Sequence, residues 1–552
     1  YLQMARALGV ETSRMERNAD VFQNMVGMIR GQMYYNLFNW YRCLSLLPGF
    51  ALNRKLMEQM MGVDRALPEP LLARLRPERT ETAWGRFADA IRIVKMMLMI
   101  CGRRLGHSGA VRRFHRRVDL LLGRYCQHGS AASLGELACR YRFLERELVR
   151  KWSVPLVNDL FCMLSFGLLK PALVQWADDR DGSLCNGLLV DRGGVISAEP
   201  ALRIAEMSRL VSEQFHVRKL IKSGRMKEAL ARIREIPELS RRFESYLDQF
   251  GDRCLGELKL ESPSLRDDPA PLLQAIAAGG GVAMTGFSGT GARQAAEQTL
   301  NARLKGKPLQ SLVVRMLLAE ARARIRDREN MRFERTRVFG HARRIFLEMG
   351  RGLEAAGHLK QSRDIFYLTA EEIFGFLSGT LACPDLIELA AVRKRKFEEY
   401  RRQPSLPRRF ETSGAAGMEH IHPLTGQDDD SARNTGPESR KSGLGCAPGC
   451  VQGAVRIVTN PQTASLSDGE ILVAGFTDPG WVTLMAQASG MIIERGSLLS
   501  HSAIVARELG IPTVVAVEGA TSWLRDGETV WLDGGAGVVR RLNGCGKAEG
   551  VA

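Results

Sequence analysis

The sequence predicts a multidomain protein in which a large, mostly α-helical domain is followed by a small α/β domain. Three observations carry this. Apolar residues recur at helical spacing from Tyr1 to about Tyr400, β-branched runs alternate with helix starts beyond Cys450, and the stretch between is rich in Pro, Gly and acid. A chain of 552 residues also exceeds what one ordinary core serves, so at least two domains are expected.

Residues 1–402 form the helical domain. Within it Ile204, Met207, Val211, Phe215 and Leu220 recur at helical spacing with Arg209, Glu213 and Arg218 between them, which predicts one amphipathic helix with a single buried stripe. Thr369 and Glu372 have the spacing of a capping box ahead of Ile373, Phe374 and Leu377. Few stretches alternate with a period of two. Gly279, Gly280 and Gly281 mark a candidate subdivision. Gly286, Gly289 and Gly291 lack the Gly-Lys-Ser/Thr ending of a phosphate loop, since Ala292 and Arg293 follow, and read as an ordinary loop.

Residues 403–444 read as a flexible or irregular linker. Pro404, Pro407, Gly414, Gly417, Pro423, Gly426 and the run Asp428, Asp429 and Asp430 leave little to bury, and a linker of that length would let the C-terminal domain move. Residues 445–545 form the α/β domain, with 546–552 a tail. Strands are expected at Val451–Val458, Glu470–Phe476, Met491–Glu494, Thr513–Val517, Glu528–Leu532 and Val538–Leu542. Thr477, Asp478 and Pro479 are helix-start residues, and a helix from His501 to Leu509 is stopped by Gly510.

Composition narrows the classes. At 45% hydrophobic and 25% charged, the chain is not disordered throughout. A net charge of +17 invites an anionic partner. The run Arg103, Arg104, Arg112, Arg113, Arg116 and Arg117 could meet a phosphate backbone, but no nucleic-acid-binding fold accompanies it, and it reads as a solvated helix face. The apolar segment near Leu160–Leu169, bounded by Asn158, Asp159 and Lys170, is too short to span a bilayer, so no membrane partner is expected. The 11 cysteines include no CxxC pair and no adjoining His cluster, which suits reduced thiols in a cytoplasm and predicts no metal site. His420 and His422 alone do not make one. The chain opens on Tyr1 without a signal peptide and is expected to be a piece of a longer polypeptide or one subunit of a split enzyme.

The most informative segment runs from Glu494 to Pro512. A strand enters a turn at Gly496, and His501 then opens a helix. The first N–H groups of a helix lack internal partners and its dipole there is positive, which favours a neutral imidazole with a nucleophilic nitrogen. A phosphoryl group on that nitrogen would meet those N–H groups and the hydroxyls of Ser497, Ser500 and Ser502. Histidine as a covalent phosphoryl carrier is the chemistry expected.

The run from Gly480 to Val517 resembles the swivelling phosphohistidine domain of the PEP-utilising enzymes, which include PEP synthase, pyruvate phosphate dikinase and rifampin phosphotransferase. Ala503-Ile504-Val505-Ala506-Arg507-Glu508 and Gly510-Ile511-Pro512 match the family's helix and its stop, while Ser497 and Leu499 replace its second glycine and its threonine. The resemblance implies that His501 is the phosphorylated residue, with Gly496, Ser497, Ser500 and Ser502 supporting the phosphate. Gly251-Asp252-Arg253-Cys254, Glu257-Leu258-Lys259 and Arg328-Glu329-Asn330 through Arg337 resemble the family's substrate domain, which implies Arg253, Glu257, Lys259, Arg328 and Glu329 as candidate pocket residues. The expected function is a dikinase-type phosphotransferase, with a PEP synthase-like enzyme, a non-enzymatic phosphocarrier and a degenerate scaffold as alternatives. ATP and Mg²⁺ are expected to act through an ATP-grasp domain or subunit, with none bound by this chain. Neither an ATP-grasp sequence nor a PEP/pyruvate barrel is recognisable here. The expected acceptor is a small molecule.

Overall fold

A computed structural model of the chain describes residues 5–6, 9–46, 54, 71, 83–126, 132–190, 194–256, 258–278, 289–404, 406, 409–412, 421–423, 439–461, 464–467 and 469–542. The fold class is the predicted one, a large helical region followed by a small α/β sheet domain. The chain forms two compact units, Tyr1–Val157 with His341–Thr435, and Asn158–Gly340 with Gly436–Ala552. This differs from a division at residue 402. The second half of the helical region and the C-terminal sheet share a unit because they share buried surface.

In the first unit, β1 (Val26–Ile29) and β2 (Gln32–Tyr35) form an antiparallel hairpin inside a region expected to be helical. The helix Leu134–Glu147 opens with a capping box from Ser133 and Glu136, and Ala370–Ser378 opens with the predicted box from Thr369 and Glu372. Tyr141 packs its ring 4.7 Å from Phe346 and 5.7 Å from Phe374. Arg393 binds both carboxylate oxygens of Glu372. Of the linker, the pair β3 (Phe410–Thr412) and β4 (Ile421–Pro423), residues 439–444 and a few others are described; Asp428, Asp429, Asp430 and His420 lie outside the described residues.

In the second unit, the helices Glu199–Ser212, Phe215–Lys222, Met226–Glu235, Pro237–Phe250 and Ala270–Ala278 close around Ile204, Val211, Leu239, Phe243, Phe250 and Leu272. The single helix predicted over Ile204 to Leu220 is two. Gln214, at φ −108° and ψ 73°, breaks it, and Phe215 is 76% exposed instead of continuing the stripe. Val217, Leu220 and Ile221 resume burial on the new axis. Gly289 and Gly291 lie in the helix Gly289–Arg303 and not in a loop, while 279–288 fall outside the described residues.

The apolar segment near Leu160 is also longer than expected. It belongs to a 25-residue helix, Ser153–Ala177, and the stretch Leu134–Ala177 holds a window of mean hydropathy 1.4, long and apolar enough by length and composition to cross a membrane. In the fold, its Cys162, Leu169, Leu173 and Ala177 lie in a core cluster with Leu300, Leu318 and Ile325. Its polar Asn158 is buried and donates to the Arg324 carbonyl at 2.9 Å.

The sheet has eight strands, β5 (Arg440–Ser442), β6 (Leu444–Ala447), β7 (Cys450–Ile457), β8 (Ile471–Ala474), β9 (Gly490–Ile493), β10 (Thr513–Val515), β11 (Thr529–Asp533) and β12 (Val538–Arg541). Their order is β5-β12-β11-β7-β8-β9-β10-β6. The domain therefore starts at Arg440, inside the expected linker, because β5 pairs with β12. The central β7, β8, β9 and β10 run parallel. Strands of that kind are covered on both faces. Ile471, Val473, Ile492 and Val514 enter one apolar layer, whereas Leu472, Ala474, Met491, Ile493 and Val515 enter the other, the alternation that a pleated strand dictates. The second layer also takes in Ala198 and Ala201 from the helical segment.

Candidate functional site

The helix His501–Leu509 lies in that second layer. Ala503, Val505, Ala506 and Leu509 pack with the sheet, while Ile504 joins the core cluster of Cys185, Leu300 and Ile325. Its entry is tightly built. A Cβ on Gly496 would lie 3.2 Å from Ser500 Oγ and 3.3 Å from Val515 Cβ, tight enough that these neighbours would have to give by a few tenths of an ångström. Ser500 is the N-cap, at φ −67° and ψ 157°, and its hydroxyl accepts from the Ala503 N–H. Ser502 Oγ lies 3.2 Å from Ser500 Oγ. Ser497 Oγ accepts from Leu499 N–H at 3.4 Å and its carbonyl accepts from Ser500 N–H at 2.9 Å. Gly510, at φ 70°, ends the helix as predicted. Arg507, 2% exposed, donates to the carbonyls of Cys446 and Leu498, tying the helix to β6 and to the loop before His501.

His501 is 4% exposed, and its Nδ1 is 2.8 Å from Oε2 of Glu329, which is itself 1% exposed. Glu329 is held from three further directions. Ser197 Oγ donates to the same Oε2 at 3.1 Å, Arg332 Nη1 donates to Oε1 at 3.1 Å, and Arg328 stands next in the helix. Burial works against ionising Glu329, but the charges of Arg332 and Arg328 and the hydrogen bond from His501 outweigh it and hold the carboxyl well below its ordinary range. An ionised carboxylate only accepts, so Nδ1 carries the hydrogen, and in the neutral ring the lone pair is left at Nε2. Nε2 is buried and has no hydrogen-bond partner among the described residues. A buried polar atom without a partner calls for an explanation, a catalytic role or a bound group among them.

Arg328 Nε donates to Asp159 at 3.1 Å, and its Nη1 donates to the Leu499 carbonyl, two residues before His501. Asn330 accepts from Ile196 N–H and donates to the Gly194 carbonyl, which fixes the loop carrying Ser197. The Arg328-Glu329-Asn330 run thus has three tasks: holding the loop before the histidine, holding the histidine, and holding the loop behind the carboxylate.

The other pocket candidates are placed elsewhere. Arg253, expected to face an anionic substrate, is 2% exposed and donates to the Pro479 carbonyl at 3.0 Å, with its guanidinium over the rings of Phe250 and Phe333. Its charge is committed to the loop at Asp478, whose carboxylate accepts from the N–H groups of Gly256 and Gly480 at 2.8 Å each. Lys259 is exposed on a turn closed by its own N–H to Gly256. Glu257 lies outside the described residues. Sequence reading missed Asp159, Ser197 and Arg332. The one local signal was the Asn158-Asp159 pair set in an otherwise apolar helix.

Comparisons with known proteins match the two segments that carry these residues. Residues 466–537 match the family described as PEP-utilising enzyme, mobile domain, and residues 158–329 match the rifampicin phosphotransferase fourth domain. A rifampicin phosphotransferase of Streptomyces sviceus is 29% identical over 389 residues, covering 68% of this chain and 43% of that protein. The one from Bacillus cereus is 27% identical over 313 residues, 54% of this chain and 34% of the relative. The prodigiosin synthesizing transferase PigC of Serratia marcescens is 30% identical over 397 residues, 69% of this chain and 43% of its own length. The chain thus spans 43% or less of these relatives. The two matched segments contain Asp159, Ser197, Arg328, Glu329 and His501. Residues 158–329 and 466–537 therefore carry domains of the PEP-utilising, rifampicin phosphotransferase-like family.

Proposed function

We propose that this chain is the acceptor-side part of a dikinase-type phosphotransferase, in which Nε2 of His501 carries a phosphoryl group to an oxygen of a small molecule. The observation that carries the proposal is the buried His501 ring, bound at Nδ1 by Glu329 and open at Nε2. A nucleophile oriented by a fixed second group is the usual arrangement for covalent catalysis. Gly496, Ser497, Ser500 and Ser502 shape the turn that presents the ring.

As the resemblance implies, the proposal assigns nucleotide cleavage, with ATP and Mg²⁺, to an ATP-grasp unit and gives this chain the receiving and delivering histidine. The acceptor offers a hydroxyl or enol oxygen. The relatives' names, rifampicin phosphotransferase and prodigiosin synthesizing transferase, favour an elaborated natural product over pyruvate, so a PEP synthase-like reaction is the second reading. A cytoplasmic location goes with the proposal and with free thiols such as Cys162 and Cys185, which burial pushes up to about 12.

The test is to supply a phosphoryl donor and map the product. Phosphoramidate, or ATP and Mg²⁺ with an ATP-grasp unit of a relative, should leave an acid-labile, base-stable phosphate on His501. Absence of phosphate from His501 under both donors would overturn the proposal.

A further inference from the structure

His501 and Glu329 are 172 positions apart, and they belong to different parts of the fold. The histidine opens a helix of the α/β domain, whereas the carboxylate sits on the long helix Pro308–Ala355. The group that sets the tautomer of the ring therefore comes from the surface against which the α/β domain packs. That surface is joined by discrete polar contacts: Arg253 to Pro479, Gly256 to Asp478, Asn186 to the Gly445 carbonyl at 2.6 Å, and Arg328 to Leu499.

We propose that Glu329 is a positioning residue that makes a phosphoryl group on His501 reactive only while the α/β domain is seated on the helical segment. The inference rests on the phosphohistidine function proposed above. In the transfer, the acceptor oxygen forms a bond to phosphorus, the P–Nε2 bond breaks, and its electron pair returns to Nε2. The acceptor's proton is released to water. With Nδ1 protonated the ring departs as neutral imidazole; without that proton it would depart as the much more basic imidazolate. Glu329, ionised and accepting from Nδ1–H, holds the proton where it is needed. Its own charge is secured by Arg332 and Arg328 on its helix and by Ser197 from the facing loop, while Asp159 on the helix Ser153–Ala177 engages Arg328. Away from this surface, the phosphorylated ring loses that carboxylate and becomes a slow donor, which protects the phosphoryl group from water in transit.

The experiment uses the full chain, loaded with phosphoramidate, and follows loss of acid-labile phosphate from His501 to water. In the wild type, loss should be fast and less dependent on pH than in a chain lacking the carboxylate, because Glu329 accepts from Nδ1–H and keeps that proton in place. Glu329→Gln should load more slowly than wild type and, once loaded, lose phosphate roughly ten- to a hundredfold more slowly, with a rate that falls as pH rises, since solvent must now supply the proton. Asp478→Ala tests the same claim without touching the pair: it loosens the seat and should also lengthen the lifetime of the phosphate. It decides the matter if Glu329→Gln does not fold. Equal lifetimes and pH profiles in wild type and Glu329→Gln, with His501 loaded in both, would overturn the inference and leave the phosphohistidine intact. A wild-type chain that takes no phosphate on His501 would overturn the function beneath it.

Discussion

Arg253 donates to the carbonyl of Pro479 at 3.0 Å, across 226 positions of sequence, and that bond is buried. Beside it the Asp478 carboxylate accepts from Gly256 N–H, and Gly480 lies so close to the Cys254 carbonyl that a Cβ would come within 2.5 Å of it. A loop of the α/β domain is thus seated on the helical segment by a buried cation, a carboxylate and a glycine.

Removing the carboxylate should loosen that seat. Asp478→Ala forfeits a charge-assisted bond of about 1.5–3 kcal/mol, so hydrogen exchange at the His501 helix should speed up while the sheet strands stay protected. Unchanged exchange at His501–Leu509 would mean that the loop does not hold the domain.

The turn before the histidine should tolerate little. Gly496→Ala would need Ser500 Oγ and Val515 to give by a few tenths of an ångström, and should lower phosphate loading by shifting the turn that presents His501. Ser500→Ala removes the N-cap and should cost about 1 kcal/mol, read as a lower unfolding midpoint. Ser502→Ala should cost less, because its hydroxyl meets only that of Ser500 among the described contacts at the turn. Both serine variants should slow phosphate transfer without abolishing it.

Much of this turn was legible in sequence, because its determinants are local. Ser500 before the helix, Gly510 after it and the apolar alternation of β8 to β10 are short-range signals. The partner of His501 was not. Glu329 was a candidate only as one of several charges, and nothing local says which carboxylate meets a ring 172 positions away. The break at Gln214 was hidden because Val217, Leu220 and Ile221 continue the apolar spacing on a turned axis. The β1–β2 hairpin was hidden because Val26, Gly27 and Met28 are all exposed, so no inward-outward alternation marks it.

In the other unit, the capping box at Thr369 sets an acid dependence. Arg393 beside Glu372, acting against burial and helped by the Thr369 N–H, draws that carboxyl from 4.5 down to about 2. A carboxyl lowered on folding stabilises the fold above its unfolded value, and the benefit is lost as pH falls from 4.5 toward about 2. Glu372→Gln should flatten the fall in unfolding midpoint across that window. An identical acid profile in wild type and Glu372→Gln would show that the pair contributes nothing there.

Assigning the phosphorylated atom is the most direct measurement. After incubation with phosphoryl donor, peptide mapping and phosphorus NMR of the intact chain should find phosphate on His501 at Nε2, stable in base and lost in acid. The His501→Asn chain, which keeps polarity without a nucleophilic ring nitrogen, should carry none at that position. Phosphate bonded to Nδ1, or full acceptor phosphorylation by His501→Asn, would contradict a site in which Glu329 occupies one ring nitrogen and leaves the other open.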